Sequence, residues 1–251
     1  MSNDCRCDAG VKDKRQVIAY SASHSFEQNK MNTGSLDTEE TRIFLQAFDV
    51  AWRKCIEDYC SRRINSEHCL QAALYHHLRG ELNQSSRRFD IYAEAVVQPH
   101  LDSPLGANKR VIDLVVKSDD FVVGGIELKY SPRGKPAALN IRKDLESLSL
   151  LSSRRDKIDR VEVEMPRFNG PPLNLKVLKQ RKLIFAAIVA DECNVDAAGI
   201  WRDSKPAKGY WERRTGHPPN LGIALAHTST GKCVPKLYGP PFKRLGLESK
   251  T

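Results

Sequence analysis

Hydrophobic residues near the start of the chain recur at helical spacing. Over TRIFLQAFDVAWRKCIEDYC (residues 41–60), apolar side chains return every three or four positions, which predicts a long helix ending near residues 62–63. Ser35 or Asp37 is the expected N-cap, because the glutamates that follow would then favour the positive end of the helix dipole. Residues 1–35 are polar and lack periodicity, and they predict a flexible N-terminal arm.

The hydrophobic pattern then changes from helical to extended. A second helix is predicted after its N-cap Ser66 and is expected to stop near Gly80. Beyond it, apolar runs and a period of two predict three consecutive strands over residues 90–98, 110–116 and 121–130. Only a short polar turn separates the second and third strands, so these two are expected to form an antiparallel hairpin.

The second half of the chain continues the alternation of helix and strand. An amphipathic helix is predicted from Pro136 onward, and strands are predicted over residues 182–192 and 221–229. Residues 154–180 are basic and are expected to be irregular, and the tail after Gly231 carries no predicted element. The resulting order, α-α-β-β-β-α-β-loop-β, predicts an α/β fold in which helices flank both faces of a central mixed sheet.

Composition adds that the chain is globular and large enough for a core of its own. We expect one domain over residues 36–251, with its core at about 60–192 and a basic C-terminal elaboration over 193–251. The seven cysteines and the absence of an apolar signal segment predict reduced thiols and a cytoplasmic location. No apolar stretch approaches the roughly 18–20 residues of a membrane span, so no membrane partner is expected.

Basic residues are concentrated in the second half of the chain. The formal net charge is +9, of which residues 1–125 contribute −2 and residues 126–251 contribute +11. This asymmetry favours a polyanionic partner, most often nucleic acid, although a solvated basic surface would have the same composition.

Three ionisable residues interrupt the predicted hairpin where both faces are otherwise apolar. They are Asp113 in RVIDLVV, and Glu127 and Lys129 in FVVGGIELKY. Because unpaired buried charges are costly, these groups must be paired, bound to a metal or placed at strand ends. Glu127 and Lys129 are two residues apart and leave the same face of the strand. The hairpin is expected to set Asp113 opposite residues 124–126, within about one residue of Glu127.

Two carboxylates beside one amine suit metal-assisted hydrolysis of a phosphodiester. The oxygens of Asp113 and Glu127, with the backbone carbonyl of Leu128, are suitable ligands for Mg²⁺ or Mn²⁺ and leave positions open for a phosphate. Lys129 can orient the attacking water and stabilise developing negative charge. A packed ion cluster at a sheet edge, without any chemistry, is the alternative interpretation of the same residues.

With these pieces in this order, the sequence resembles the PD-(D/E)XK, or restriction-endonuclease-like, superfamily of nucleases. The matching residues are Val111-Ile112-Asp113 and Ile126-Glu127-Leu128-Lys129, and the order of elements agrees over about residues 60–190. Ile112 stands where the motif has its proline, a position without a chemical role. The resemblance implies an αβββαβ core, dependence on a divalent metal, Asp113 and Glu127 as metal ligands, and Lys129 as the catalytic lysine. Many such nucleases dimerise, so a homodimer is a further expectation.

The resemblance also implies a further acidic group at the metal, and two glutamates are candidates. Glu67 would begin the second helix, where it equally suits the helix dipole. Glu94 interrupts the first apolar strand, although at a sheet edge it could instead face water. Arg142 and Lys143, on the helix after Lys129, are candidates for phosphate contacts, and a solvated helix face accounts for them as well.

A second candidate for nucleic-acid contact is the basic and aromatic segment WRDSKPAKGYWERR (residues 201–214). Flat rings interleaved with cations suit contacts to phosphates and unstacked bases. The alternative is a loop fixed on the domain by its tryptophans. The candidate nucleic-acid contacts are Lys205, Lys208, Trp211, Arg213 and Arg214.

The sequence therefore predicts a Mg²⁺- or Mn²⁺-dependent nuclease that hydrolyses phosphodiester bonds of DNA. A role in defence, restriction, repair or a mobile element would suit such an enzyme. The alternative function is a nucleic-acid-binding or interaction module with the same fold and no turnover.

Overall fold

The computed structural model describes residues 38–98, 110–133, 160–164, 173–190, 220–229 and 232–249, together with residues 140, 143–144, 147–148 and 151. The predicted arm over residues 1–35 lies outside the described residues, and so do residues 193–219 of the predicted C-terminal elaboration. The division into an arm and one domain therefore stays a prediction.

The first helix, α1, spans Glu39–Cys60. Its N-cap is Thr38, whose hydroxyl oxygen accepts a hydrogen bond from the Thr41 N–H at 3.3 Å. The predicted caps, Ser35 and Asp37, were therefore wrong, because the helix starts one residue later than Asp37 would allow. The apolar stripe of α1 is confirmed, since Phe48 and Trp52 are fully buried and stack with ring centroids 6.2 Å apart.

The second helix, α2, spans Glu67–Leu82 and begins as predicted. The hydroxyl oxygen of its N-cap, Ser66, accepts a hydrogen bond from the Cys69 N–H at 3.2 Å. The predicted stop at Gly80 was wrong, because Gly80 is helical and the C-cap is Asn83. The leucines at positions 70, 74, 78 and 82 continue the buried row past that glycine.

The first three strands form an antiparallel meander. Strand β1 spans Phe89–Gln98, β2 spans Arg110–Ser118 and β3 spans Phe121–Ser131. The predicted hairpin between β2 and β3 is confirmed, with Ser118 opposite Phe121 across a two-residue turn. The helix predicted from Pro136 is confirmed where it is described, because residues 140, 143–144, 147–148 and 151 are all helical.

Four strands and a short helix complete the described chain. They are β4 at Arg160–Glu164, β5 at Leu173–Ala190, β6 at Leu221–Ser229, β7 at Lys232–Tyr238 and α3 at Pro240–Arg244. The expectation that residues 154–180 are irregular was wrong, because β4 and the first half of β5 lie there. The alternation in LNLKV, at the start of β5, was obscured by the many lysines around it.

The tail after Gly231 also has structure that the sequence analysis missed. Strand β7 pairs along its length with β6 only, so it is an edge strand among the described residues. Pro235 is tolerated there, since a proline that donates no hydrogen bond is compatible with an edge. The high content of proline and lysine therefore concealed a strand.

The sheet is mixed and partly closed on itself. The order of its strands is β3-β2-β1-β4-β5-β6-β7, and β3 also pairs with β5. The ring closes because β5 pairs through residues 173–176 with β4 and through residues 176–177 and 182–189 with β3. Strand β5 runs parallel to both β3 and β6, whereas the other pairs are antiparallel.

Helices cover both faces of this sheet. On one face, α1, α2 and Phe242 of α3 pack against residues such as Leu114 and Ile126. On the other face, Leu148 and Leu151 of the helical segment 140–151 pack against Phe185 and its neighbours.

The predicted α/β class, with a central mixed sheet flanked by helices, is confirmed. The order α2-β1-β2-β3-helix-β5 also agrees with the predicted αβββαβ core, with β4 inserted before its last strand. None of the described helices is long and apolar enough to cross a membrane.

Two adjacent glycines on β3 let the helices approach both faces closely. A Cβ on Gly124 would overlap the buried ring of Phe44 on α1. A Cβ on Gly125 would lie 2.6 Å from Leu151 Cδ1, on the opposite face. Neither neighbour is an exposed, flexible side chain that could move aside, because Phe44 and Leu151 are both fully buried.

We therefore expect Gly124→Ala to lower the free energy of unfolding by about 1–3 kcal/mol, because overpacking a tight core forces strain. The matched control is Gly80→Ala in α2, where nothing lies within 4 Å of the added Cβ. This control should instead stabilise the chain by about 0.5–1 kcal/mol, since alanine favours helix. Urea unfolding of both variants measures the difference, and equal effects would contradict the close approach at Gly124.

Candidate active site

The predicted acidic residues meet where β2 and β3 stop pairing. The last pair of the hairpin is Leu114 opposite Ile126, and one position further along lie Asp113 on β2 and Glu127 on β3. A β-bulge between Val116 and Lys117 shifts the register by one residue. The expectation that Asp113 faces residues 124–126 was wrong by that one residue, and the shift brings Asp113 level with Glu127.

The Asp113 side chain takes the place of the missing strand pairing. Its Oδ2 accepts a hydrogen bond from the Leu128 N–H at 2.6 Å. Because the N–H and C=O of a strand residue point to the same side, the Leu128 carbonyl faces the same gap between the strands. From α2, Gln71 Nε2 donates to the Asp113 backbone carbonyl at 3.0 Å and fixes this end of β2.

Glu127 is the most deeply buried carboxyl group of the site. Glu127 is only 4% exposed, and its Oε1 has no hydrogen-bond partner among the described residues. Burial raises the pKa of Glu127 well above its ordinary value, and the negative charges of Asp113 and Asp144 raise it further. The pKa of Asp113 is also raised by burial, although the hydrogen bond from Leu128 partly offsets this.

Lys129 lies between two carboxylates that come from different helices. Its Nζ is 3.4 Å from Glu67 Oε1 at the start of α2 and 3.2 Å from Asp144 Oδ2 on the segment 140–151. Burial alone would lower the pKa of Lys129, but the charges of Asp144 and Glu67 outweigh it, and the net pKa is raised. Lys129 is therefore an ammonium group at neutral pH, able to donate hydrogen bonds but not to accept a proton.

The site contains more negative than positive groups. Glu67, Asp113, Glu127 and Asp144 surround one ammonium, that of Lys129. Burial raises the pKa of Asp144 to about 6, although the charge of Lys129 and its hydrogen bond partly offset this rise. Such an excess of acidic oxygen favours either bound protons or a bound cation.

The donor set fits a hard divalent cation of the magnesium type. Among the described residues, no group of three or more His, Cys, Asp or Glu side chains is placed to hold a metal ion. Magnesium, however, is commonly held by one or two carboxylates together with water and substrate phosphate. Asp113 and Glu127 supply two carboxylates, and the unpartnered, buried Glu127 Oε1 is an oxygen that a cation would satisfy.

The two further acidic candidates differ in their surroundings. Glu67 is part of the cluster, and its second oxygen, Oε2, accepts a hydrogen bond from the Tyr130 N–H at 3.0 Å. Both of its oxygens are thus engaged by β3. Glu94 lies level with Asp113 in the register of β1 and β2, but it is exposed, and its backbone has a φ of 50°.

The candidate nucleic-acid contacts are only partly described. Lys143 is exposed on the helical segment after Lys129, as a phosphate contact or a solvated cation would be. Six candidates lie outside the described residues, and their roles stay predictions: Arg142, Lys205, Lys208, Trp211, Arg213 and Arg214.

Two residues of the site were missed by sequence analysis, although each had a signal. Asp144 lies four residues before the buried Leu148, so it interrupts the apolar stripe of its helix. Gln71 lies four residues after Glu67, which places both polar side chains on one face of α2. The signal for Asp144 is therefore a polar residue in an apolar stripe, and the signal for Gln71 is a face shared with another polar candidate.

Comparisons with known proteins add little to this geometry. No family model matches the chain, and no curated protein matches its sequence. Among solved structures, the chain is similar to NucC of E. coli MS115-1 in its cAAA-bound form, with 13% sequence identity and a TM-score of 0.35. The similarity covers 85% of this chain and 90% of that chain.

The raised pKa of Asp144 predicts a pH dependence of stability in the absence of metal. A carboxyl group whose pKa is higher in the folded than in the unfolded chain contributes stability at low pH and loses it as pH rises. For Asp144 the window runs from the ordinary value of 3.8 to about 6. A shift of this size corresponds to about 3 kcal/mol.

In EDTA, the free energy of unfolding of the wild type should therefore fall relative to that of Asp144→Asn as pH rises through this window. Denaturant unfolding at a series of pH values measures the difference between the two profiles. Asp120→Asn, in the exposed turn between β2 and β3, is the control and should follow the wild type. Parallel profiles for the wild type and Asp144→Asn would contradict the prediction.

Proposed function

We propose that this protein is a metal-dependent nuclease that hydrolyses phosphodiester bonds of DNA. The observation that carries the proposal is the convergence of Asp113, Glu127 and Lys129 at the unpaired end of the β2–β3 hairpin. An ordinary ion cluster would balance its charges, whereas this site sets four carboxyl groups against one ammonium. That excess is better explained by a cation site than by packing.

Asp113, Glu127 and the Leu128 carbonyl are the groups that would hold Mg²⁺ or Mn²⁺. When bound there, the ion would polarise the phosphoryl oxygen and lower the pKa of a nearby water. The reaction requires a bond from the water oxygen to phosphorus and loss of the bond to the leaving oxygen. The leaving oxygen takes up a proton, and the products are a hydroxyl end and a phosphomonoester end.

Lys129 stabilises the negative charge that develops on the phosphoryl oxygens and orients the attacking water. Because its pKa is raised, this amine is protonated at neutral pH and donates hydrogen bonds to both. Glu67 and Asp144 hold its ammonium from two sides, so we assign them as positioning residues for Lys129. This assignment gives Glu67 a role without requiring it to reach the metal.

The choice of a nucleic acid as substrate rests on charge. Residues 126–251 carry a net charge of +11, and a polyanion neutralises such an excess. Binding should therefore weaken steeply with salt, as it does wherever lysines and arginines displace counterions from phosphates.

Cleavage of supercoiled plasmid and of a labelled single strand tests this function. Wild type should cut in Mg²⁺ or Mn²⁺ and not in EDTA, because the acidic pair needs the ion. Lys129→Ala should lower the rate by at least about a hundredfold, the usual size of an electrostatic contribution of this kind. Asp144→Asn should lower it by less, since Glu67 still holds the ammonium.

The matched control is Lys54→Ala, which removes a lysine that pairs with Glu81 on the exposed side of α1 and α2. It should cut at the wild-type rate. Salt-sensitive binding by the wild type without any metal-dependent cutting would overturn the nuclease assignment in favour of a binding module. Equal rates for Lys129→Ala and Lys54→Ala would remove Lys129 from the chemistry.

Metal binding is tested separately from turnover by thermal unfolding. A ligand that binds only the folded chain stabilises it by about 2.7 kcal/mol at a hundredfold excess over its Kd. Mg²⁺ or Mn²⁺ should therefore raise the Tm of the wild type but not that of the double variant Asp113→Asn, Glu127→Gln. An equal rise in both proteins would place the ion elsewhere.

A further inference from the structure

A second concave site lies at the opposite end of the β1–β2 pair from the carboxyl cluster. It is a cavity of about 400 Å³ between the end of α2, the start of β1 and the end of β2. Its polar lining comes from Arg79, Asn83, Arg88, Asp90 and Lys117. Lys117 is four residues from Asp113 along β2, which corresponds to roughly 13 Å.

The cavity has an excess of positive charge. Its one carboxylate, Asp90, is shared by Lys117 at 3.2 Å and Arg88 at 3.8 Å. The Arg79 guanidinium donates to the Tyr75 hydroxyl at 2.8 Å and has no carboxylate partner among the described residues. Three cations against one carboxylate leave a formal charge of +2 in the lining.

The end of α2 reduces this charge but does not cancel it. Arg79 is in the last turn of α2 and Asn83 is its C-cap, so the negative end of the helix dipole is nearby. That end is equivalent to roughly −0.5 of a charge. A net charge of roughly +1.5 remains, which attracts an anion. If these cations served only to neutralise the helix dipole, one of the three would be enough.

The remaining wall of the cavity is apolar and partly aromatic. It is formed by Leu82, Phe89, Ile91 and Tyr92. Lys117 Nζ lies 5.9 Å from the centroid of the Tyr92 ring, so cationic and aromatic groups are adjacent. The volume is within the range of about 300–1,000 Å³ that is typical of small-molecule sites.

We propose that this cavity binds a nucleoside that carries a terminal phosphate group. A phosphomonoester has a charge of about −1.5 to −2 at neutral pH, which matches the net charge of the lining, whereas a backbone diester has −1. The planar fork of Arg79 suits a phosphate, and the apolar wall suits a sugar and base. This chemistry occurs both in a free mononucleotide and at the phosphorylated end of a nucleic-acid strand. The site does not depend on the proposed cleavage activity.

The test is a binding titration with the full chain in EDTA, so that no strand is cut. The probes are adenosine 5′-monophosphate, adenosine, inorganic phosphate, and one short oligonucleotide with and without a 5′-phosphate. The monophosphate should bind at least about tenfold more tightly than adenosine, which lacks the charge-assisted hydrogen bond of the phosphate. It should also bind at least about tenfold more tightly than inorganic phosphate, which lacks the sugar and base that contact the apolar wall.

Arg79→Gln should weaken binding of the monophosphate about tenfold or more, because it removes the cation without a carboxylate partner. Arg79 is exposed, so this variant should fold normally. The matched control is Arg53→Gln, which removes an exposed arginine of α1 that pairs with Asp49 and should leave binding unchanged. Lys117→Gln provides a second variant within the cavity.

The oligonucleotide arms identify the source of the ligand. Competition by the phosphorylated strand but not by the unphosphorylated one assigns the site to strand ends, and binding of the mononucleotide alone assigns it to free nucleotides. Equal binding of both strands, or equal binding by wild type and Arg79→Gln, would overturn the proposal. Glu127→Gln should retain nucleotide binding whether or not it cuts DNA, so failure of this site and failure of the nuclease function are distinguishable.

Discussion

Repulsion among the carboxyl groups at the open end of the β2–β3 hairpin is the constraint on which the site depends. At an effective dielectric constant of about 20, two like charges 4 Å apart repel by about 4 kcal/mol. The whole stability of a domain is only about 5–15 kcal/mol. Asp113, Glu127 and Asp144 cannot all be ionised next to one another without compensation. Burial is the main cause of their raised pKa values, and the negative charges of neighbouring carboxyl groups raise these values further. The single ammonium of Lys129 neutralises only part of the charge.

The two layers of helices determine how that compensation is arranged. Glu67 comes from α2 on one face of the sheet, and Asp144 comes from the segment 140–151 on the other. Lys129 therefore links both helical layers through the edge of β3. The close approach at Gly125 brings Leu151, seven residues after Asp144, directly against β3. Packing in the core and the position of the ammonium group are thus set by the same contacts.

Most of the fold could be predicted from local patterns, but its irregular parts could not. Continuous apolar runs located β2 and β3, and their apolar character on both faces exposed Asp113, Glu127 and Lys129 as exceptions. The one-residue bulge near Val116 leaves no local signal, because it changes pairing rather than composition. Strand β7 was missed because two lysines and a proline interrupt KCVPKLY, and β4 was missed because RVEVE is short and three of its five residues are charged. The pairing of β4 with β1 also joins positions far apart in the chain.

The part of the site that could not be predicted is the contact between residues that are far apart in the sequence. Glu127 and Lys129 share a strand, so a spacing of two was enough to group them. Asp144 reaches Lys129 only because its helix packs across the sheet, and a sequence does not specify that contact. The consequence for chemistry is specific: with carboxylates on two sides, Lys129 stays protonated and is a donor. A proton released by the attacking water must therefore be accepted by another group, and the acidic oxygens of the cluster are the adjacent acceptors.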